Sequence, residues 1–373
     1  MLIVDKKRIR DIFFELVRFK SVSGKEKAFS EYLIKNFQDN DIEIFIDRKP
    51  VENRLSDSPN IIINLKGKVK SDWAFAVHMD TVSHRGEIYP FLDDDGFYKS
   101  KGNTILGADD KAAIASVLYL LEKRKLDGLE LKDTWFIFTV CEETGLSGAR
   151  VLDLADKNIP ENIAVLDGSG TFGKLTSSSP FYYSFDINII GRASHAGSFP
   201  ERGINALLIA ARLIDKVTPG RIDKKTTLNY GSIRSGKDRN VVPDKAMIKG
   251  EIRSHDEEKI FQLIKKIKDT LKGFDKKYKS LSDLKYKKIF DGYEHDIRTE
   301  QMNFLKDNIQ SLDTDFEPRP SGGGSDANIF NSKGYNAFDI SIGMIDPHSF
   351  DEKISEKDMT KLTKFIYNII RVE

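Results

Sequence analysis

Five segments of this chain carry histidine, aspartate and glutamate side chains of the types that bind metal ions. They are His78 and Asp80 in HMDTV, Asp109 and Asp110 in GADDKAA, Glu142 and Glu143 in EETGLSGA, Asp167 in LDG, and His348 in DPHSF. Clustered carboxylates repel one another, and they stay ionised together only when cations neutralise them. A pair of divalent metal ions would do so. Two imidazoles with several carboxylates suit Zn²⁺, and Co²⁺ or Mn²⁺ accept the same ligands.

Taken singly, these residues have ordinary structural interpretations. A histidine that closes an apolar strand, as His78 does, is more often structural than functional. Paired acids such as Glu142 and Glu143 commonly cap helices or lie on the surface, and Asp167 before a glycine is typical of a turn. The metal prediction therefore depends on the ordered combination and on the elements that position it.

Each of these segments follows a predicted strand or precedes a predicted helix. The predicted strands are Asn60–Leu65, Trp73–His78, Thr134–Cys141, Asn162–Leu166 and Ala337–Ile342. A helix begins near Asp110, and its apolar residues cover nearly all of its faces, which predicts burial. In an open α/β sheet, the loops at the carboxyl ends of the strands converge on one crevice. The pattern thus predicts an α/β sheet flanked by helices, with the acidic and histidine side chains gathered at one edge.

The pattern changes after Leu175, where the polar run TSSSP predicts a linker. The elements predicted beyond it are a strand at Phe181–Ile190, a helix at Arg202–Val217, strands at Thr226–Ser232 and Lys245–Arg253, a helix at Asp256–Leu271 and a strand at Leu284–Phe290. This β-α-β-β-α-β order predicts a four-stranded sheet with two helices on one face, an α+β (ferredoxin-like) fold. Ser254 and Glu257 have capping-box spacing before the second helix.

Alternation of strands and helices returns after this insert. We therefore predict a catalytic, metal-binding domain made of residues 1–177 and 291–373, interrupted by an inserted lid or dimerisation domain at 178–290.

Composition narrows the classes of partner. Among 373 residues, 59 Lys and Arg nearly balance 58 Asp and Glu, giving a net charge of +1. This balance provides no general field for nucleic acid or an anionic membrane. The N-terminus lacks the features of a signal peptide, and the single Cys141 fits a reducing compartment. We expect a cytoplasmic protein with no nucleic-acid or membrane partner.

Several motifs together resemble the M20 family of metallopeptidases, and within it most closely the aminotripeptidase (peptidase T) branch. They are HMDTV, GADDKAA, EETGLSGA, LDG, GRASHAG and the late His348. They cover essentially the whole chain in the same order as in the family. The resemblance implies a dinuclear-metal hydrolase that cleaves di- and tripeptides as an aminopeptidase, and a homodimer formed through the inserted domain.

The resemblance also implies a division of the metal ligands. Asp109 would bridge the two ions, His78 and Asp167 would complete one set of ligands, and Glu143 and His348 the other. Zinc is the expected metal. A cis peptide bond is implied directly after Asp109.

Three further residues receive catalytic roles from the resemblance. Asp80 would orient His78, and Glu142 would be the general base on a metal-bridging water. His195, in GRASHAG, would stabilise the oxyanion, often in the active site of a neighbouring subunit. The resemblance also implies substrate contacts for Asn240 and Arg253, and Arg253 has the alternative interpretation of a surface charge on its strand. The glycine run that contains Gly323 either brings backbone N–H groups close to the substrate, since glycine permits close approach, or forms a flexible turn before a helix.

Two other functions remain open from the sequence. The same machinery serves N-acyl-amino-acid deacylases and carboxypeptidases, which differ in whether the substrate needs a free N-terminus. A catalytically silent peptide-binding protein of the same fold is the second alternative. Glu142 and Asp80 argue against it because a mere metal cage needs neither.

Overall fold

A computed structural model of the protein describes residues 2–39 and 41–372. The chain separates into two compact units. The first unit comprises Met1–Ser177, Glu294–Ser321 and Ser325–Glu373, and the second comprises Ser178–Tyr293 with Gly322–Gly324.

The first half of the chain alternates strands and helices. Its helices are α1 (Lys6–Val17), α2 (Lys27–Asn36), α3 (Lys49–Glu52), α4 (Ala108–Asp127) and α5 (Ser147–Val151). Its strands are β1 (Ile42–Asp47), β2 (Asn60–Leu65), β3 (Trp73–His78), β4 (Pro90–Leu92), β5 (Phe97–Ser100), β6 (Thr134–Thr139), β7 (Asn162–Gly168) and β8 (Lys174–Ser179).

The second unit contains strands β9 (Phe181–Ile190), β10 (Gly220–Asp223), β11 (Thr226–Ser235), β12 (Lys245–Ser254) and β13 (Leu281–Phe290). Its helices are a short 3₁₀ turn at Pro200–Arg202, α6 (Ala206–Lys216) and α7 (Glu257–Tyr278). The remaining elements of the chain are β14 (Tyr293–Glu294), α8 (Glu300–Gln310), β15 (Glu317–Pro320), α9 (Asp326–Ser332), β16 (Asn336–Ser341), β17 (Met344–Ile345), β18 (Lys353–Ser355) and α10 (Glu356–Ile370).

The main sheet has nine strands among the described residues, in the order β1-β2-β6-β3-β7-β16-β8-β14, with β15 beside β8. Strands β6, β3, β7 and β16 run parallel, so their carboxyl ends meet at one edge. Strands β2 and β3 are buried along their whole length, which explains their continuous apolar sequences. This confirms the predicted α/β fold.

Helix α4 occupies the core of the first unit and packs against α1, α10, β3 and β7. Its first thirteen residues, Ala108–Leu120, are all buried, as the apolar sequence around the helix predicts. The torsion angles of Asp109 and Asp110 are not helical, so the regular helix begins after them, and residues 106–110 are called below the loop before α4. A rigid, buried helix therefore fixes one end of this loop.

The sheet of the second unit differs from the prediction by one strand. In the part of this unit that the structure describes, five antiparallel strands lie in the order β10-β11-β12-β9-β13. Helices α6 and α7 pack against β9, β11, β12 and β13, as expected for a ferredoxin-like fold. The additional edge strand β10 is short and largely exposed, and its sequence GRID has no apolar alternation from which to predict it.

Two local predictions differ from the structure. The TSSSP run contains the boundary between the two units, as predicted, but most of it belongs to β8 and is not an irregular linker. The Thr176 hydroxyl there donates to buried Asp339 at 2.7 Å. The N-cap of α7 is Asp256, whose carboxylate accepts the Glu258 N–H at 3.1 Å. Ser254 instead accepts the N–H of Asp256, so it lies two residues before the N-cap and does not form the predicted capping box.

Among the described residues, no helix combines the length and the apolar character that a membrane span needs.

Candidate metal centre

The predicted ligands lie at the carboxyl edge of the main sheet. His78 is the last residue of β3 and Asp167 is the sixth residue of β7. Glu142 and Glu143 follow β6 after a short turn, and His348 follows β17. Parallel strands deliver four of these side chains to one place, as the strand-end argument predicts.

Asp109 lies between the two histidines and turns one carboxylate oxygen towards each. Its Oδ1 is 2.9 Å from Nε2 of His78, and its Oδ2 is 3.1 Å from Nε2 of His348. A second carboxylate accompanies each histidine: Asp167 Oδ1 is 3.4 Å from His78 Nε2, and Glu143 Oε1 is 2.8 Å from His348 Nε2. The result is two adjoining groups of three side chains that share Asp109.

Ligand atoms of these groups are close enough to surround metal ions. His78, Asp109 and Asp167 form one set, and Asp109, Glu143 and His348 form another, with ligand atoms within 4.8 Å of one another in each set. Glu142 joins His78 and Glu143 in a third set of the same kind. Two imidazole nitrogens and several carboxylate oxygens are a donor set that fits divalent transition metals.

The electrostatics of the cluster favour a cation. Burial raises the pKa of Glu142 and of Asp167 well above the ordinary carboxyl value. The charge of Asp167 adds to the rise at Glu142, whereas His78 opposes the rise at Asp167. Burial also acts to raise the pKa of Asp109, but hydrogen bonds from His348 and His78 outweigh it and lower that pKa. Hydrogen bonds to Asp109 and Glu143 raise the pKa of His348 to about 10. Without a metal ion, the carboxylates thus favour protonated histidines. Bound metal ions would supply the positive charge instead.

A backbone carbonyl sets the tautomer of His78. Its Nδ1 lies 3.0 Å from the backbone oxygen of Asp80, which can only accept, so Nδ1 carries a proton and Nε2 faces the carboxylates. The Asp80 carboxylate is 3.4 Å from the same nitrogen. It also accepts the backbone N–H groups of Glu142 at 2.9 Å and Glu143 at 3.2 Å, and the Ser23 hydroxyl at 2.6 Å. Asp80 therefore also holds the turn that carries both glutamates.

The loop before α4 has the backbone feature that the resemblance implies. The peptide bond between Asp109 and Asp110 is cis. The Asp110 carboxylate is buried and accepts the backbone N–H of His78 at 3.1 Å, so it ties this loop to the end of β3. It belongs to neither of the two ligand sets that share Asp109.

Sequence reasoning missed three buried carboxylates that surround the cluster. Glu352 accepts backbone N–H groups of the loop before α4, and Glu26 accepts the N–H of Cys141 at 3.1 Å, directly before Glu142. Asp326 accepts the Thr139 hydroxyl at 2.5 Å at the end of β6. Their partners are main-chain groups or residues distant in sequence, so the amino-acid sequence alone gives little indication of the roles of these three carboxylates.

The remaining predicted residues lie in the second unit and are described within it. His195 and Asn240 are brought together, because the Ala196 N–H donates to the Asn240 carbonyl at 2.8 Å and a β-bridge joins His195 to Val241. Arg253 stacks over the Tyr182 ring, and its guanidinium makes two hydrogen bonds to Glu251, at 3.1 and 3.3 Å. The Gly323 carbonyl accepts the Ser179 hydroxyl at 2.9 Å.

Comparison with known proteins places this geometry in a family. Residues 182–279 match the model of the peptidase dimerisation domain of M20 enzymes. The uncharacterized protein YqjE of Bacillus subtilis is 30% identical over 368 residues, 98% of each chain. The aminopeptidase PepT structure from Bacillus cereus is 31% identical, with a TM-score of 0.86 over 98% of each chain. A tripeptidase structure from Staphylococcus aureus is 27% identical, with a TM-score of 0.92 over 98% of each chain.

The chain belongs to the M20 family of metallopeptidases. The predicted resemblance, including that to the peptidase T branch, is confirmed, as is the prediction of a metallopeptidase. The roles of individual residues stay predictions, although the structure brings the five predicted ligands together.

The crowding of buried acids predicts that metal removal destabilises the protein. Thermal unfolding of chelator-treated protein should occur at a lower temperature than unfolding with zinc. Each occupied site contributes about 2.7 kcal/mol when free metal is 100 times its dissociation constant. In Asp109→Asn most of this gain should disappear, because the shared ligand has lost its charge. An unfolding temperature that does not respond to zinc in the wild-type protein would contradict the assignment.

Proposed function

We propose that this metallopeptidase is an aminopeptidase for di- and tripeptides, and that it works with two divalent metal ions. The observation that carries the proposal is the position of Asp109, with one carboxylate oxygen towards His78 and the other towards His348. A carboxylate so placed suits a bridge between two ions.

In this proposal, His78 and Asp167 complete one metal site, and Glu143 and His348 complete the other. Zinc is the metal that we expect, since imidazole and carboxylate are its usual ligands outside cysteine sites, with cobalt or manganese as alternatives. When bound, the two ions would acidify a water molecule and polarise the scissile carbonyl. The surrounding carboxylates supply the negative charge that keeps both ions bound.

Glu142 is the proposed general base. Its carboxylate lies with those of the ligand sets, and its backbone is held by Asp80 at 2.9 Å, so its position is fixed from behind. Burial and the charge of Asp167 raise its pKa, which favours uptake of a proton. Glu142 would take the proton from the attacking water and pass it to the leaving amine.

His195 is the proposed oxyanion donor, and its hydrogen bonds support that role. Its Nδ1 accepts the backbone N–H groups of Gly197 at 3.2 Å and Ser198 at 3.0 Å. In a neutral imidazole the proton then lies on Nε2, which can donate to a developing negative charge. We further propose that the second unit is a lid and dimerisation domain, and that His195 acts on the substrate of the partner subunit.

The proposed substrate class is inferred from the similar proteins and from Arg253 of the second unit. The similar structures described as an aminopeptidase and a tripeptidase favour short peptides with a free N-terminus. Arg253 would bind the substrate carboxylate, together with Asn240 and the backbone at Gly323. In the structure Glu251 fills the Arg253 fork, so the substrate carboxylate would have to displace it. A cytoplasmic location stays a prediction.

A peptide panel tests the direction of cleavage. Free and N-acetylated di- and tripeptides of the same sequence are incubated with the zinc, cobalt or manganese enzyme, and products are separated by chromatography. The proposal predicts removal of the N-terminal residue from free peptides and little cleavage of acetylated ones. Preferred cleavage of the acetylated substrates would favour the deacylase or carboxypeptidase alternative, and binding without cleavage would favour the silent alternative.

Substitution of the adjacent glutamates separates proton transfer from metal binding. Glu142→Gln should retain both metal ions and lose about 10²–10⁴ in kcat, because only the proton carrier is removed. Glu143→Ala should bind one ion with much lower affinity. Metal content by mass spectrometry and steady-state kinetics measure the two effects. Near-wild-type turnover in Glu142→Gln would show that another group is the base.

Mixing two inactive variants tests the role of His195 across a dimer. His195→Ala should lose about 10²–10³ in turnover, as expected for an oxyanion donor, and Glu142→Ala should be inactive for a separate reason. After subunit exchange, mixed dimers would contain one complete active site, and activity should recover. Absence of recovery, with mixed dimers demonstrated by differently tagged subunits, would contradict action across the dimer.

A further inference from the structure

The buried carboxylate of Glu352 accepts four consecutive backbone N–H groups of the loop that carries Asp109. Its Oε2 accepts from Leu106 at 2.8 Å and Gly107 at 2.9 Å. Its Oε1 accepts from Ala108 at 2.7 Å and Asp109 at 3.2 Å. Glu352 is 2% exposed. Both of its oxygens are therefore occupied by main-chain donors, and the residue is not a candidate ligand.

The loop needs such an acceptor because of its own conformation. Gly107 stands at the N-cap position of α4 with φ of 76°, and glycine has no side chain with which to cap the helix. Asp109 and Asp110 depart from helical torsion angles. The N–H groups at the start of a helix have no partner within the helix, and leaving them buried and unpaired is costly. Glu352 satisfies these donors from a position 243 to 246 residues away in the sequence.

Glu352 also anchors the segment that carries His348. The two residues are four positions apart, and the Glu352 N–H donates to the Ser349 carbonyl at 3.4 Å. Asp346 and His348 both have left-handed backbone conformations, with φ of 53° and 64°. This segment is therefore a tight, irregular turn whose far end is tied to the Asp109 loop. One carboxylate thus connects the two loops that meet at the Asp109–His348 contact of 3.1 Å.

We propose that Glu352 is a positioning residue of the metal centre, which sets the distance between Asp109 and His348 through the backbone of the Asp109 loop. The inference rests on the metal-binding part of the proposed function. Glu352 touches neither substrate nor metal in this account. It acts by fixing the main chain on which the shared ligand stands, as groups behind metal ligands commonly do.

The glutamine variant tests the charge and the second acceptor atom. Glu352→Gln keeps the size of the side chain but places an NH₂ group against backbone N–H donors, so at least one pair of hydrogen bonds is lost. Glu352→Asp keeps both oxygens on a shorter side chain. Glu356→Gln is the matched control, because it replaces a glutamate by glutamine only four residues later in the sequence. Glu356 lies outside the cluster, where it pairs with Lys6 at 2.9 Å.

Two readouts are taken on metal-free protein that has been shown to be folded by circular dichroism. Calorimetric titration with zinc should give affinities about 10–100-fold lower for Glu352→Gln than for wild type, with Glu352→Asp between them and Glu356→Gln unchanged. Hydrogen exchange followed by mass spectrometry should be faster in peptides covering residues 106–109 of Glu352→Gln. Exchange at residues 142–143, whose N–H groups Asp80 holds, should stay as in wild type.

Unchanged zinc affinity in folded Glu352→Gln would overturn the proposal, as would an equal loss in Glu356→Gln. Faster exchange throughout the first unit would show a general structural role instead. Should Glu352→Gln not fold, the same readouts on Glu352→Asp decide, and wild-type affinity there would refute the proposal. Neither readout requires a substrate, so a failure of the aminopeptidase assignment leaves this test unaffected.

Discussion

Mutual repulsion among buried carboxylates is the constraint on which this structure depends. Asp109, Glu142, Glu143 and Asp167 each place an oxygen within 4.8 Å of a ring nitrogen of His78 at the carboxyl edge of the sheet. Asp109 and Glu142 are buried, and the side chains of Glu143 and Asp167 are nearly so. Burial of an isolated charge is costly, and like charges at this distance add to the cost. The fold tolerates the cluster because imidazoles lie between the acids, and because metal ions of opposite charge suit the same positions.

A second set of buried carboxylates holds the first in place through the main chain. Asp80 binds the N–H groups of Glu142 and Glu143, Glu26 binds that of Cys141, and Glu352 binds the loop before α4. Charge-assisted hydrogen bonds of this type are stronger than neutral ones. They fix the backbones of the proposed metal ligands and leave the side chains of those residues free to bind. The arrangement also adds negative charge around the centre, which strengthens its preference for cations.

The sequence was sufficient to predict that these side chains lie together, because each follows a strand or precedes a helix, and parallel strands bring their carboxyl ends together. His78 and Asp167 are examples, since both lie at the ends of strands that are easily predicted from their apolar sequences. Glu352 and Glu26 were missed because their partners are backbone N–H groups, which have no residue type to recognise. The edge strand β10 was missed because a short, exposed strand at the rim of a sheet needs no apolar alternation. The strand conformation of the TSSSP run was not predicted, because polar residues that hydrogen-bond to a buried acid have the composition of an irregular linker.

Anomalous diffraction from crystals grown with zinc would show whether Asp109 is shared by two ions. We expect two zinc peaks about 3.5–4 Å apart, with one oxygen of Asp109 on each ion. His78 and Asp167 should complete the ligands of one, and Glu143 and His348 those of the other. A single ion, or two ions of which only one is bound by Asp109, would contradict this expectation.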